Sequence, residues 1–424
     1  MSFSHPPKGW NSYDCFGSMV CEHEVIANAE FMAEHLKPFG WEYVVIDYCW
    51  SYPELIASAN PDQGSQFRPF LTMDHDHRLL PAPERFPSSQ NGRGFAPLAE
   101  RIHCLGLKFG IHMMRGFPRQ AIYPDYPGQV SGLRPSEFVD KDSTCSWLNH
   151  MYGVKPGEAA QRYYDNVFEL YASWGVDFVK VDDMTFPYHE WEIEAINRAR
   201  NNCGRPMILS LSPGPCPVQK AEHVAKHAEM WRICADFWDH WDKLLEAFNL
   251  CQQWAPYRQD QAWPDADMLP IGRLSKRGPV GPEHDSFFTL DEQRTLMGLW
   301  CMFKSPLFIG GNLPETSEET LELLKNANIL NLHASESFGE LVTQDSRCSI
   351  WYLESEDGCG SVAVFNLGDQ HDSFEIEFSK LGLNSQEYTV LDLWSNETWI
   401  DTGNLKVSLP AHGSSIYQVS LFSD

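Results

Sequence analysis

A unit of helix, glycine and strand recurs four times in the first half of this chain, and that repeat restricts the fold more than any other feature. Val25, Ala29, Met32 and Leu36 form an apolar helical stripe; Pro38 and Gly40 end it, and Glu42 to Asp47 reads as a strand. Phe95 to Leu105 with Gly106 leads to Leu107–Met113 in the same way. The stripe Tyr163, Val167, Tyr171 and Trp174 stops at Gly175 before Val176–Asp182, and Ile193–Cys203 stops at Gly204 before Pro206–Leu211. Glycine suits these stops because the position after a helix takes a left-handed backbone. Such αβ units imply a parallel sheet with crossover helices. With further units near 230–254 and 262–309, they predict a closed (β/α)8 TIM barrel over residues 1–330. Beyond it, short alternating runs at 349–353, 361–365, 373–378, 388–393 and 415–419, separated by polar turns, predict an antiparallel β-sandwich over 331–424.

Four apolar stretches end in an aspartate: Asp47, Asp182, Asp236 and, more loosely, Asp267. A parallel barrel keeps its chemistry at the C-terminal ends of its strands. Several carboxylates in one bowl suit acid, base and nucleophile work on a neutral polyol, for which a sugar is the natural candidate. Lys180 lies two residues before Asp182 and shares its strand face; Arg232 and Asp236, four apart, would do the same. A single such aspartate could as well cap the following helix. Four of them fit that reading much less well.

The formal charge of −26 (32 Lys and Arg against 58 Asp and Glu) opposes binding to nucleic acid or an anionic membrane. No 18-residue apolar span is present, and Met1 to Trp10 lacks the pattern of a secretory signal. The 12 Cys form no CxxC, and several sit in apolar runs, which predicts mostly reduced core thiols of a cytoplasmic protein. His75-Asp76-His77 resembles a metal-ligand pattern but falls in a charged turn, so no metal and no cofactor are expected. Two long connections, 51–94 and 114–156, follow strand ends and are expected to act as functional loops on the active face.

Taken together, Gly9-Trp-Asn-Ser-Tyr13, Val45-Ile-Asp-Tyr-Cys-Trp50, Gly106-Leu-Lys-Phe-Gly-Ile111, Asp177-Phe-Val-Lys-Val-Asp182, Trp231-Arg-Ile-Cys-Ala-Asp236, Trp263-Pro-Asp-Ala-Asp-Met-Leu269 and Ser305-Pro-Leu-Phe308 resemble glycoside hydrolase family 27, the α-galactosidase family of retaining barrel enzymes. They occur in family order. The resemblance implies a retaining exo-glycosidase acting on an oligosaccharide or glycoside through a covalent glycosyl-aspartate. Asp182 would be the nucleophile and Asp236 the acid/base at the end of strand 6. Lys180 would bond ring hydroxyls, Arg232 and Asp267 would serve the 2-hydroxyl region, and Asp47 the axial 4-hydroxyl region. Asp182 would have to stay ionised, helped by Lys180, and Asp236 would have to be protonated when it acts.

The chain departs from the family where substrate is read. Tyr48 replaces a second acid that reads the 6-hydroxyl, Tyr13 a stacking Trp, His112 a Tyr, and Met184 a Cys. Ser212 resembles the N-acetylgalactosaminidase branch, and the 114–156 loop, beginning with Arg115, has no counterpart in common members. An α-galactoside is placed first as the commonest activity, with α-N-acetylgalactosaminide, β-L-arabinopyranoside and isomaltodextran-type α-glucoside as alternatives. A catalytically inactive sugar-binding protein and an unrelated metal-dependent hydrolase are the competing classes. A homo-oligomer is left open.

Overall fold

The computed structural model describes residues 5–54, 71–122, 134–355, 359–383 and 387–422. Parts of both long connections, 55–70 and 123–133, lie outside the described residues.

Eight parallel strands carry the first part of the chain: β1 (Lys8–Asn11), β2 (Tyr43–Ile46), β3 (Lys108–Met114), β4 (Phe178–Asp182), β5 (Ile208–Leu211), β6 (Met230–Arg232), β7 (Trp263–Asp265) and β8 (Leu307–Ile309). They run in the spatial order β7-β6-β5-β4-β3-β2-β1-β8. The two end strands meet through a parallel bridge from Leu269 to Ile309 and two backbone bonds, Leu269 to Phe308 and Gly310 to Leu269, which closes the sheet into a barrel. The longer helices between strands are α1 (Glu22–His35), α2 (Ala96–Cys104), α3 (Glu158–Ser173), α4 (Glu190–Asn202), α5 (Ala221–His227), α6 (Trp241–Trp254) and α7 (Leu290–Phe303). The expected helix-ending glycines 40, 106, 175 and 204 all adopt left-handed backbone, with φ of 75–84°.

Strand alternation sorts the side chains. Tyr43 and Val45 of β2, Phe178 of β4, Ile208 of β5, Met230 of β6 and Phe308 of β8 fill the barrel lumen as one apolar cluster. Val44, Ile46, Val179, Val181 and Leu209 point instead into the larger core beneath the helices. Continuing the inward face upward from Phe178 gives Lys180 and then Asp182; continuing from Val45 gives Asp47. The apolar plug is therefore the floor under a polar bowl.

One strand end differs from expectation. β6 stops at Arg232, so Asp236 stands on the following loop and not on the strand. On the β5 side the neighbouring segment is Pro213-Gly214-Pro215. Neither proline has an N–H with which to extend the ladder.

Beyond helix Ala327–Ala334, a six-stranded antiparallel sheet is built from 340–344, 348–355, 359–366, 414–421, 388–392 and 398–401. A two-stranded sheet of 372–377 and 404–409 packs against it. The five expected strands are present. Three additional ones among the described residues include Asn404–Leu409, whose side chains alternate exposed and buried. Trp351, Phe365 and Ile416 of the large sheet join the barrel core, and His412 stacks on Trp241 with ring centroids 3.8 Å apart.

Candidate active site

A pocket of about 510 Å³ opens at the C-terminal end of the barrel. Its lining includes Tyr13, Asp47, Tyr48, Lys180, Asp182, Ser212, Arg232, Asp236 and Asp267. His112, the remaining candidate, reaches the site through Asp182. All ten candidate residues are thus gathered at one place from β1–β7 and the segments that follow them.

Asp182 ends β4 and is gripped from three sides. Its Oδ1 accepts 2.9 Å bonds from the Ser212 hydroxyl and the Asp183 amide, and Oδ2 lies 3.4 Å from His112 Nε2. Burial opposes the charged form, but bonding and charge from His112, the Lys180 ammonium and the Asp183 amide outweigh it and hold the carboxyl below its ordinary range. Asp47 sits across the floor. Its Oδ2 accepts from Lys180 Nζ and Asn11 Nδ2, both at 2.9 Å, and its Oδ1 accepts from the Tyr48 amide. Asp47 is buried and Lys180 partly so, and each keeps the other charged despite desolvation: Asp47 is pushed down and Lys180 up.

Asp236 is placed differently. Its side chain is 47% exposed. It touches Arg232 Nη2 at 3.3 Å, and the Tyr13 hydroxyl donates to it at 3.5 Å. Arg232 is buried and also pairs with Asp267 at 2.8 Å. Asp267, in left-handed backbone with φ of 85°, accepts the Phe237 amide at 2.8 Å. Burial raises the Asp267 carboxyl above its usual range against the pull of Arg232. Burial likewise raises Asp265, to about 6.

Tyr48 is buried, with its ring edge-on to Tyr13 at 5.5 Å and to His112 at 6.1 Å. Behind it Cys49, with Tyr52 and Leu71 from one long connection, packs with Met114 at the end of β3 and Cys145, Leu148 and Met151 from the other. The second connection also folds a small three-stranded sheet (117–118, 139–144 and 151–154) and contributes Ser146 and Trp147 to the pocket.

Several lining groups escaped the sequence reading. Trp147, Phe186, Trp238 and Val280 stand around the pocket on irregular segments with no periodic signal. Asp14, buried near the floor, follows the Gly9–Tyr13 motif directly and could have been included with it. Arg115 is buried behind the site, where it donates 2.9 and 2.7 Å bonds to Asp183 and a 2.7 Å bond to Glu192. It thereby anchors the residue next to Asp182. The His75–His77 turn holds no shared site: His75 is 85% exposed, whereas His77 is buried against Phe117. All twelve cysteines are free, and most are buried. Among the described residues no helix is long and apolar enough to cross a membrane.

Comparison with known proteins agrees with this geometry. The family model Alpha galactosidase A matches residues 149–335, and Alpha galactosidase C-terminal beta sandwich domain matches 345–419. A rice (Oryza sativa subsp. japonica) α-galactosidase is 24% identical over 421 residues, spanning 97% of this chain and 84% of its own. Among solved structures, a GH27 β-L-arabinopyranosidase from Geobacillus stearothermophilus is 43% identical with a TM-score of 0.93, covering 99% of this chain and 97% of that one. A Bacillus halodurans C-125 protein provisionally designated an α-N-acetylgalactosaminidase is 42% identical with a TM-score of 0.86, over 99% and 98%. A match of this identity over both full lengths means that the chain belongs to glycoside hydrolase family 27 and is a glycoside hydrolase.

Proposed function

We propose that this enzyme is a retaining exo-glycosidase that removes terminal β-L-arabinopyranosyl residues, and α-D-galactosyl residues more slowly. The two sugars share ring configuration from C1 to C4 and differ in the hydroxymethyl group on C5. The carrying observation is Tyr48. It occupies the position beside Asp47 where a carboxylate would accept the 6-hydroxyl, and the packed core of two loops holds it there. A tyrosine ring in that place removes the carboxylate acceptor and narrows the space, which suits a pentopyranose. A site lacking a partner for a substrate hydroxyl leaves that hydroxyl desolvated and unpaired. The full-length likeness to a β-L-arabinopyranosidase supports the same choice. The Ser212 hydroxyl is engaged by Asp182, which counts against reading it as a contact to a 2-acetamido group.

In the proposed reaction, Asp182 attacks C1 through Oδ2, its less hydrogen-bonded oxygen, and the bond from C1 to the leaving oxygen breaks. Asp236 gives that oxygen its proton. Asp236, now a carboxylate, takes a proton from water while the water oxygen displaces Asp182 from C1, which restores both groups. Lys180 and Asp47 offer a paired donor and acceptor to vicinal ring hydroxyls, and Arg232 with Asp267 flanks the 2-position.

A panel of p-nitrophenyl glycosides tests the reading. The expected kcat/KM for β-L-arabinopyranoside exceeds that for α-D-galactopyranoside by about tenfold or more. The reverse order would return α-galactoside to first place. NMR of the first-formed sugar should show retained anomeric configuration, and turnover should survive chelation.

A further inference from the structure

On the outer wall of the barrel, away from the pocket, α5 presents His223 and His227 one turn apart, and Glu194 of α4 faces them. One ligand atom from each of the three lies within 4.8 Å of the other two. We propose that Glu194, His223 and His227 form a binding site for a divalent transition-metal ion of the zinc class.

The local hydrogen bonds prepare the imidazoles for that role. His227 Nδ1 lies 2.8 Å from the His223 carbonyl oxygen, which can only accept. The proton is therefore on Nδ1, and Nε2 keeps its lone pair. No hydrogen bond to that Nε2 is present among the described residues. His223 Nδ1 lies 2.6 Å from the Tyr188 hydroxyl, which fixes the ring; its Nε2–H points at the Glu194 carboxylate, so a binding ion displaces that proton from between two atoms 3.3 Å apart. That spacing is close to the ligand–ligand edge of about 3.3 Å in a tetrahedron with bonds of 2.0–2.1 Å. The two rings lie near one another, with centroids 4.4 Å apart and planes 39° apart. Both histidines thus have the outer partner that ordinarily orients a ligating imidazole, here a backbone carbonyl and a tyrosine hydroxyl. Two imidazoles and one carboxylate suit Zn²⁺, with a fourth position left to water. The site is half-buried, so an ion can enter from solvent.

Its place in the fold gives the ion a structural consequence. Tyr188 lies two residues beyond Phe186, which stands 55% exposed at the pocket. A cation joining α4 to α5 would fix His223, and through it Tyr188 and the segment carrying Phe186 and Pro187.

The test is calorimetric titration of Zn²⁺ into chelator-stripped full-length enzyme, alongside His227→Ala and Glu194→Gln. Both substitutions are at partly exposed positions outside the pocket. The expected result is one Zn²⁺ per chain, bound about tenfold or more weakly in each variant. Because the chain has free cysteines, Co²⁺ titration gives a second readout. Absorption from nitrogen and oxygen ligands alone is expected, and it should be lost in His227→Ala. Equal Zn²⁺ binding by the wild type and both variants, or a thiolate-to-cobalt charge-transfer band, or no binding at all, would each overturn the proposal.

Discussion

Two of the carboxylates that line the pocket, Asp182 and Asp236, are held in opposite ways. Asp182 is fastened at both oxygens by a hydroxyl, an amide and an imidazole, with Arg115 anchoring the residue beside it. Asp236 stands on a loop, half exposed, with two long contacts of 3.3 and 3.5 Å. A group that must present a charged oxygen at one point benefits from rigid surroundings that favour charge. A group that must give up a proton and take another benefits from access to water and from loose bonds that neither state forfeits. The contrast divides the proposed labour before any substrate is considered.

Substitutions can break or sharpen that contrast. The largest effect is expected from Asp182→Ala, which should lower kcat by about 10⁴-fold or more for every glycoside, whatever its leaving group. Asp236→Ala should depend on the aglycone. An unactivated alkyl glycoside should lose about 10²–10⁴-fold, whereas p-nitrophenol, which leaves without a proton, should suffer far less in the first step. Equal losses on both substrates would remove the assignment of Asp236 as proton donor.

The surroundings of Asp182 and the ring of Tyr48 give three smaller tests. Its depressed pKa depends on His112 as well as Lys180, so removing the imidazole in His112→Ala disfavours the carboxylate and raises that pKa. The acidic limb of kcat/KM, which in the proposed mechanism reports ionisation of Asp182, should therefore move to higher pH, and kcat at neutral pH should fall about tenfold. An acidic limb that stays in place would show that another group controls it. Tyr48→Asp should raise the preference for α-galactoside relative to β-L-arabinopyranoside by about tenfold, read as a ratio of kcat/KM values. Ser212→Ala removes one bond to Asp182 while the Asp183 amide remains on the same oxygen, so the expected loss is only about three- to tenfold.

Much of this was readable from the chain. Helix stripes ending in glycine located α1 to α4 and the strands that precede or follow them, because helix packing and left-handed stops leave a periodic trace. The alternation Phe178, Lys180, Asp182 put the cation and the carboxylate on one face, and the lumen cluster beneath them bears that out. Where the trace was weak, placement slipped. Asp236 reads as the end of an apolar run, but two prolines opposite it end the ladder four residues earlier. The core behind Tyr48 could not be read at all, because its members come from two loops with no period. The same holds for Trp147, Phe186 and Trp238 at the pocket. Glu194 lies about thirty residues from His223, and only the packing of α4 on α5 makes them neighbours.

By itself, the sequence determined the periodic elements, the inward column of Lys180 and Asp182, and the family to which the strand-end motifs belong. These depend on spacings of two to four residues, which local backbone geometry converts directly into shared faces. Tertiary structure decided which carboxylate is clasped and which is loose, what stands behind Tyr48, and where Glu194 meets the two histidines of α5 on the outer wall. Each of those depends on contacts between segments far apart in the chain, and no local pattern records how far a loop carries a side chain before it meets its partner.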